Sequence, residues 1–309
     1  SDDHAARVWE ASSGKLLQSL QHSDRVSVAV FSPDGSRIAS GSPDGIVRVW
    51  KTSTCEPALA PLDHRRQIVG IRFSLDGQHL VTSNSSASGS GKPRVHDSRS
   101  GKLIAELTSA HGQLTHMALS PDGRLVASAS SNGSVLVWDW KTSAQASRIV
   151  EHAGSVAMVA FHPDGRRLVT ACEDGAARIW DLASPAQGEL IVRHKAIVRS
   201  AVLSSDERRI ATSSSDGSAR VWDAASAEAV TQPLRHTQVV YAAAFSLDGE
   251  LLATGGGDGL AKIWSIATSE PFIHPLRHGG RVLQVAFSPD RALLATWGDD
   301  GAARLWNAE

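Results

Sequence analysis

Cysteine is almost missing from this chain. Cys55 and Cys172 are the only two in 309 residues, too few for a disulfide framework or a thiolate metal cage. An excess of either charge is missing too. The 31 Lys+Arg and 32 Asp+Glu leave a net charge of −1 and a pI near 6.9, whereas a binder of duplex nucleic acid carries a basic excess. No apolar run approaches the roughly 18–20 residues that span a bilayer, and no signal-peptide pattern opens the chain. Helical periodicity is nearly absent. There is no phosphate-cradling glycine loop, no nucleophile elbow and no close His/Cys/carboxylate spacing of a metal site. Apolar residues at 41%, with 26 Gly and 12 Pro, give a globular composition. These exclusions leave a globular protein without enzyme signature, cofactor or metal, expected in the cytoplasm and away from membranes. The chain opens at Ser1 and is expected to be part of a longer protein.

What is present is periodic. Trp50, Trp138, Trp180, Trp222, Trp264 and Trp306 fall mostly 42 residues apart, with Trp9 one period upstream and His96 where a Trp is missing. Histidine keeps the same period at His22, His64, His111, His152, His194, His236 and His278. Such a period marks a repeat architecture. After each His comes an alternating run such as Val26 to Phe31, half-buried by its period of two. A Ser32-Pro33-Asp34-Gly35 turn follows, in which Pro presets φ and Gly supplies a positive φ. Next come Arg37 to Ser40, an Asp44-Gly45 hairpin turn and Ile46 to Trp50. A more variable fourth strand leads to the next His. Four short antiparallel strands, seven times over, predict an all-β, seven-bladed β-propeller.

The His, the Asp-Gly turn and the Trp-Asp ending, as in Trp180-Asp181 and Trp222-Asp223, resemble the WD-repeat (WD40) β-propeller family. The resemblance covers essentially the whole chain, because His to Asp is 22 residues and Asp to Trp is 6 in most repeats. It implies one domain over 1–309, with 11–309 supplying seven repeats. It also implies a hydrogen-bonded chain of His, Ser/Thr, Asp and Trp in each blade. The positions are His22, Ser40, Asp44 and Trp50; His152, Thr170, Asp174 and Trp180; and His194, Thr212, Asp216 and Trp222. The last two sets are His236, Thr254, Asp258 and Trp264, then His278, Thr296, Asp300 and Trp306. Trp donates only, hydroxyl and imidazole bridge, and ionised Asp accepts only, so the set is structural rather than catalytic. The third blade substitutes Asn132 for the acid, beside His111, Ser128 and Trp138. The second keeps His64 and Thr82, lacks the Asp-Gly turn and has a flexible Asn84 to Gly91 loop. His96 there is a degenerate structural position or a pH-sensitive one.

Function is expected at a channel mouth. By the resemblance, positions five residues after each His and just before each Asp line it. The first set is Ser27, Val69, Thr115, Ala157, Arg199, Tyr241 and Leu283; the second includes Pro43, Ser131, Glu173, Ser215, Gly257 and Asp299. Arg199, Tyr241 and Leu283, with Ile197 and Val239 nearby, read as interface anchors, although Ile197 and Val239 also suit strand-edge packing. Trp297 replaces a small residue and either fills a gap between blades or extends this surface. Trp140 is expected at a blade rim.

The Trp-bearing strand occurs eight times and its two preceding strands only seven. Residues 1–10 are therefore expected to be a surplus strand without a hairpin partner, with Lys15 to Leu20 pairing instead to the last Trp strand. The expected function is a non-catalytic scaffold or sensor that holds a protein or peptide, within a larger signalling protein. The alternative is a structural propeller that self-associates through the surplus strand. Arg outnumbers Lys 24 to 7, which with abundant Ala suggests a bacterial source.

Overall fold

The computed structural model describes residues 3–85, 91–107, 112–142, 144–149, 152–184 and 189–308. Two compact units divide the chain, Ser1–Val150 and Glu151–Glu309. The described residues form strands and turns with no helix.

The first unit opens with a hairpin, β1 (Ala5–Trp9) and β2 (Leu16–Gln21). Three four-stranded antiparallel sheets follow. The first contains β3 (Val28–Phe31), β4 (Arg37–Gly41), β5 (Ile46–Lys51) and β6 (Leu62–Asp63). The second contains β7 (Ile68–Phe73), β8 (His79–Asn84), β9 (Pro93–Asp97) and β10 (Leu103–Glu106). The third contains β11 (Leu114–Leu119), β12 (Leu125–Ser130), β13 (Val135–Asp139) and β14 (Ala144–Ile149).

The second unit repeats the pattern. Its first sheet contains β15 (Val156–Phe161), β16 (Arg167–Cys172), β17 (Ala176–Asp181) and β18 (Glu189–Arg193). Its second contains β19 (Val198–Leu203), β20 (Arg209–Ser214), β21 (Ser218–Asp223) and β22 (Leu234–Arg235). Its third contains β23 (Val240–Phe245), β24 (Leu251–Gly256), β25 (Leu260–Ser265) and β26 (Leu276–Arg277). The last sheet has three strands, β27 (Val282–Phe287), β28 (Leu293–Gly298) and β29 (Ala303–Asn307).

Burial explains the strand chemistry. The second strand of a sheet is covered on both faces, as in β24, where all six residues are buried, so its sequence runs in small and aliphatic residues without polar alternation. Neighbouring sheets within a unit stack through these faces. Ala39, Val47 and Val49 meet Ile68, Ile71 and Leu80, and Val169, Ala171 and Ile179 meet Val198, Ala201 and Ile210. Each fully buried aliphatic side chain contributes about 1.5–3 kcal/mol.

The turns set the register. Ser32 Oγ donates to Asp34 Oδ1 at 2.6 Å and Gly35 takes φ 68°, closing the β3–β4 connection. Gly45 is doubly constrained. Its φ is +87°, and a Cβ there would lie 2.6 Å from the Arg66 backbone nitrogen. In the second repeat Asn84 stands in for the missing Asp-Gly turn. Its Oδ1 accepts the Lys92 N–H at 2.8 Å and its Nδ2 donates to the His64 carbonyl at 3.3 Å. Residues 86–90 of the expected flexible loop lie outside the described residues.

One expectation is corrected. The N-terminal strand has its own hairpin partner, because β1 pairs with β2 from Ala5↔Gln21 to Trp9↔Leu16. Short loop closure through the turn at residues 10–15 favours this local pairing over a distant one. Packing reinforces it: Leu20 is buried against Ile38 and Trp50, with Ala6 and Val8 alongside. The sheet edge without a fourth strand is that of β29.

Candidate functional site

The polar chain is complete in the fifth and sixth repeats. Trp222 Nε1–H donates to Thr212 Oγ1 at 3.0 Å, Thr212 lies 2.8 Å from His194 Nε2, and His194 Nδ1 lies 3.1 Å from Asp216. In the sixth repeat the same three distances are 2.8, 2.8 and 2.9 Å. Donor chemistry fixes the direction. An indole only donates and a carboxylate only accepts, so the hydroxyl must donate to Nε2 and Nδ1–H to the acid. Asp216 also accepts the Lys195 N–H at 3.1 Å and the Ser218 N–H at 2.9 Å. The chain thus ties the Asp-Gly turn to the segment that enters β19. Burial works to raise the Asp216 carboxyl, and hydrogen bonds from Ser218, Lys195 N–H and His194 hold it below its ordinary value. Burial also lowers His194 and His236. In the seventh repeat Trp306 and His278 both reach Thr296 at 2.7 Å, and Arg304 NH1, 2.6 Å from both His278 Nδ1 and Asp300, links the imidazole to the acid.

Two of the expected chains are incomplete. In the first repeat His22 Nε2 and Trp50 Nε1 reach Ser40 at 2.7 and 2.9 Å. Arg48, however, donates to His22 Nδ1 at 3.3 Å, and Asp44 is held by Ser23 and the Ile46 N–H. In the fourth, Trp180 reaches Thr170 at 2.8 Å but His152 Nε2 is buried without a partner. One difference is visible at Nδ1. In the fifth and sixth repeats the equivalent basic side chains, Arg220 and Lys262, lie over Trp222 and Trp264, leaving Nδ1 to the acid. Arg178 instead lies 3.1 Å from His152 Nδ1 and 2.8 Å from Asp174. Cys172 stands at the position of Ser214 and Gly256, and the His152 ring sits 5.2 Å from Trp180, against 6.4 Å in the fifth and sixth repeats.

His152, Cys172 and Asp174 place ligand atoms within 4.8 Å of one another, a grouping that sequence spacing does not single out. Arg178 bridges the His and the Asp, so a metal ion would have to displace a guanidinium. Burial pushes the Cys172 thiol up to about 11. The second repeat keeps His64 Nε2 at 3.1 Å from Thr82. His96 donates Nδ1–H to the Gly101 carbonyl at 3.2 Å and leaves Nε2 buried without a partner. His111 lies outside the described residues, and the Trp138 N–H and Ser128 hydroxyl of that repeat are buried without partners among those described. Trp140 is buried, with its N–H on the Gly123 carbonyl at 2.7 Å and its ring on His79.

The exposed site follows from a repeated backbone feature. In β19, Val198 faces Ser214 and Ser200 faces Ser213, so Arg199 is an extra residue in the ladder. Tyr241, Leu283 and Ala157 are the extra residues of β23, β27 and β15. A β-bulge leaves its residue unpaired and re-aims the side chain. Beside each bulge, the residue before the Asp donates its N–H to the carbonyl three residues after the His. Thus Ser215 pairs with Ile197 at 2.9 Å, Gly257 with Val239 at 2.8 Å and Asp299 with Arg281 at 3.1 Å. Glu173 pairs likewise with Ser155 at 2.9 Å.

These side chains engage one another. Arg199 Nε–H donates to Ser215 Oγ at 2.9 Å. Arg281 Nε–H donates to Asp299 at 2.6 Å, while its guanidinium lies 5.9 Å from the Tyr241 ring centroid and its NH1 donates to Tyr241 Oη at 3.4 Å. The ring sits beside Gly257, where a Cβ would be 3.4 Å from Tyr241 Cε2. Arg199, Glu173 and Asp299 are exposed, and Ile197, Val239, Tyr241 and Leu283 are half-buried. Arg281 escapes the sequence reading, although it holds the third place after a His, as Ile197 and Val239 do. Trp297 stands apart. It pairs with Gln284 and Ala303 on the flank where Gly255 would touch Val282, it is 44% exposed, and it has no ring or cation contact with this group.

Repeated four-stranded sheets with this His/Asp/Trp chain define a repeat β-propeller class of protein. The model for "WD domain, G-beta repeat" (WD40) matches residues 14–51, 101–139, 144–181, 188–223, 230–265 and 271–307. The chain belongs to the WD40 family. The unmatched stretch between residues 51 and 101 holds the repeat in which His96 replaces Trp. The chain resembles a periodic tryptophan protein 2 homolog from Caenorhabditis elegans, 30% identical over 121 residues, 38% of this chain and 13% of that protein. It also resembles a chromatin assembly factor 1 subunit FAS2 homolog from Oryza sativa, 28% identical, covering 41% of this chain and 27% of that protein. A target of rapamycin complex subunit, wat1 of Schizosaccharomyces pombe, is 34% identical over 26% of this chain and 27% of its own length. The chain therefore spans a minor part of these eukaryotic relatives, and they lend no support to a bacterial source. The crystal structure of the computationally designed Ika8 protein superimposes with a TM-score of 0.85 at 23% identity, covering 99% of this chain and 91% of that one.

Two predictions follow from the polar chain. Asp258→Ala should cost about 1–3 kcal/mol in urea unfolding, because it leaves a buried His without its acceptor. Asp44→Ala should cost less, since His22 does not bond to it; equal losses would sink the distinction. The second concerns pH. Burial and then the neighbouring Arg lower His22 and His152 to about 4 and His64 to about 3, from 6.5. Between pH 6.5 and 4 the unfolded chain thus binds more protons than the folded one, so stability rises with pH there. The urea midpoint should fall between pH 7 and pH 4.5. A flat profile would mean that these imidazoles protonate in place.

Proposed function

We propose that the protein is a non-catalytic scaffold whose Glu151–Glu309 unit holds a protein or peptide partner at the His/Asp end of its sheets. The observation that carries this reading is the bulge repeated in β19, β23 and β27. It turns Arg199, Tyr241 and Leu283 out of the ladder beside Ile197 and Val239. Tyr241 is pre-set by Arg281 and Asp299, so little side-chain freedom is lost on docking. The relatives support the class of function, since several are named as subunits of complexes, such as "Chromatin assembly factor 1 subunit FAS2 homolog" and "THO complex subunit 6". A recognition module within a larger signalling protein fits the regularity of the repeats. Two free cysteines, one of them buried, suit a reducing compartment such as the cytoplasm.

The test is selection of displayed peptides on the immobilised protein, followed by affinity measurement on the variants. Tyr241→Ala should weaken selected binders by about 1–2 kcal/mol or more, as truncation of a hot-spot aromatic does. Binders indifferent to Tyr241, Arg199 and Leu283 changed together would place the site elsewhere.

A second reading is self-association through a terminal strand. β1 pairs with β2 on one edge only, and β29 likewise has a neighbour on one edge only, which extends this reading to β29. Leu305 of β29 is 44% exposed, whereas Val221 and Ile263, which match it, are fully buried. An unpaired strand edge beside exposed apolar residues favours association. Sedimentation should show a concentration-dependent oligomer that Leu305→Lys dissolves; a monomer at every concentration would reject this reading.

A further inference from the structure

Around the bulges of the second unit, apolar side chains flank two arginines, Arg199 and Arg281. Tyr241 shows the spacing: the bulge residue of one sheet meets Arg281, the third residue after the His of the next sheet. The same 40-residue offset relates Ala157 to Ile197 and Arg199 to Val239 as equivalent positions of neighbouring sheets. A strip therefore runs from Ile197 through Arg199 and Val239 to Tyr241. Its charge is not balanced internally. Arg281 is neutralised by Asp299, but Arg199 is exposed and makes no ion pair among the described residues. Lys195, four residues earlier, is likewise exposed and takes part in no salt bridge among the described residues. Glu173 lies one sheet earlier, on the turn between β16 and β17, and forms no ion pair with Arg199.

The Arg199 side chain is also oriented. Its Nε–H is committed to Ser215 Oγ at 2.9 Å, which leaves the two terminal nitrogens facing outward as a fork. Such a fork matches a carboxylate with two parallel hydrogen bonds. Within the strip Arg199 is the one guanidinium without an ion pair among the described residues, and the Asp299 carboxylate lies one sheet beyond Tyr241. A singly charged carboxylate suits this field better than a phosphate dianion.

We propose that the partner's docking segment carries an Asp or Glu between two apolar side chains, with the carboxylate on Arg199 and the apolar groups on Val239 and Tyr241. The inference rests on the scaffold reading and specifies its partner. It is tested on the full chain by fluorescence anisotropy with two pools of labelled heptapeptides. The pools share length and apolar content, and one places Asp/Glu where the other places Lys/Arg. The acidic pool should bind at least tenfold more tightly. Arg199→Glu should remove or invert that preference, and Arg199→Lys should retain part of it. Tyr241→Ala should weaken both pools together. Equal binding of the two pools, or a preference that survives Arg199→Glu, overturns the carboxylate assignment while leaving the scaffold reading intact if Tyr241→Ala still acts. A matched pool with phosphoserine at the acidic place that binds more tightly than the Asp/Glu pool overturns it in favour of phosphate. Binding by neither pool, or binding insensitive to Tyr241→Ala, overturns the site itself.

Discussion

A donor that cannot accept sits at one end of each complete polar chain, and an acceptor that cannot donate sits at the other. That asymmetry orders everything between them. With the indole of Trp264 at the start and the carboxylate of Asp258 at the end, Thr254 and His236 have one consistent set of proton positions. The imidazole is consequently neutral, buried and fixed in its tautomer. The Asp-Gly turn is held against the entry to the first strand of the same sheet. Where the chain breaks, in the first and fourth repeats, a guanidinium lies on Nδ1 instead of on the indole.

The bulge behind the proposed strip does not depend on the polar chain. It is present at Arg199 and Tyr241, where the chain is complete, and also in β15, where His152 does not reach Asp174, and in β7, whose repeat lacks the acid. The bulge is a feature of the backbone, so its position recurs at Ala157, Arg199, Tyr241 and Leu283 whatever side chain is present. Side-chain identity at the bulge is thereby released from the demands of the core. A fold can change these residues at small cost in stability, and this is how one scaffold comes to serve different partners.

The repeat architecture was legible because it is written in residue types that do one physical job. Trp at a 42-residue period, His 22 residues before Asp, and a glycine where positive φ is required all leave marks on the sequence. The bulge positions could be placed by the family resemblance, and Tyr241 stands out as the single tyrosine. What escaped were the features set by competition between neighbours. Arg48 and Arg220 occupy equivalent positions, yet one turns to a histidine and the other lies on an indole. Both are followed by Val-Trp, and the visible local difference is Ser218, whose hydroxyl bonds Asp216 where the first repeat has Ile46. Arg281 was invisible for a related reason, since its role comes from a tyrosine 40 residues away on another sheet.

The terminal strands show the same limit in its clearest form. Ala5-Ala6-Arg7-Val8-Trp9 and Ala302-Ala303-Arg304-Leu305-Trp306 are nearly the same sequence, so pattern alone cannot say which one β2 should join. Both would present the same alternation and the same small residues to a partner. Separation along the chain decides it. A connection of a few residues brings β1 onto β2 at far lower entropic cost than a partner almost 300 residues away. The local hairpin also buries Leu20 against Trp50 as it forms. An excess of equivalent strands therefore leaves one of them without its neighbour, and the physics of loop closure assigns that vacancy to the strand farthest from its alternative. Leu305 on that strand is 44% exposed, an apolar side chain left uncovered beside the unpaired edge.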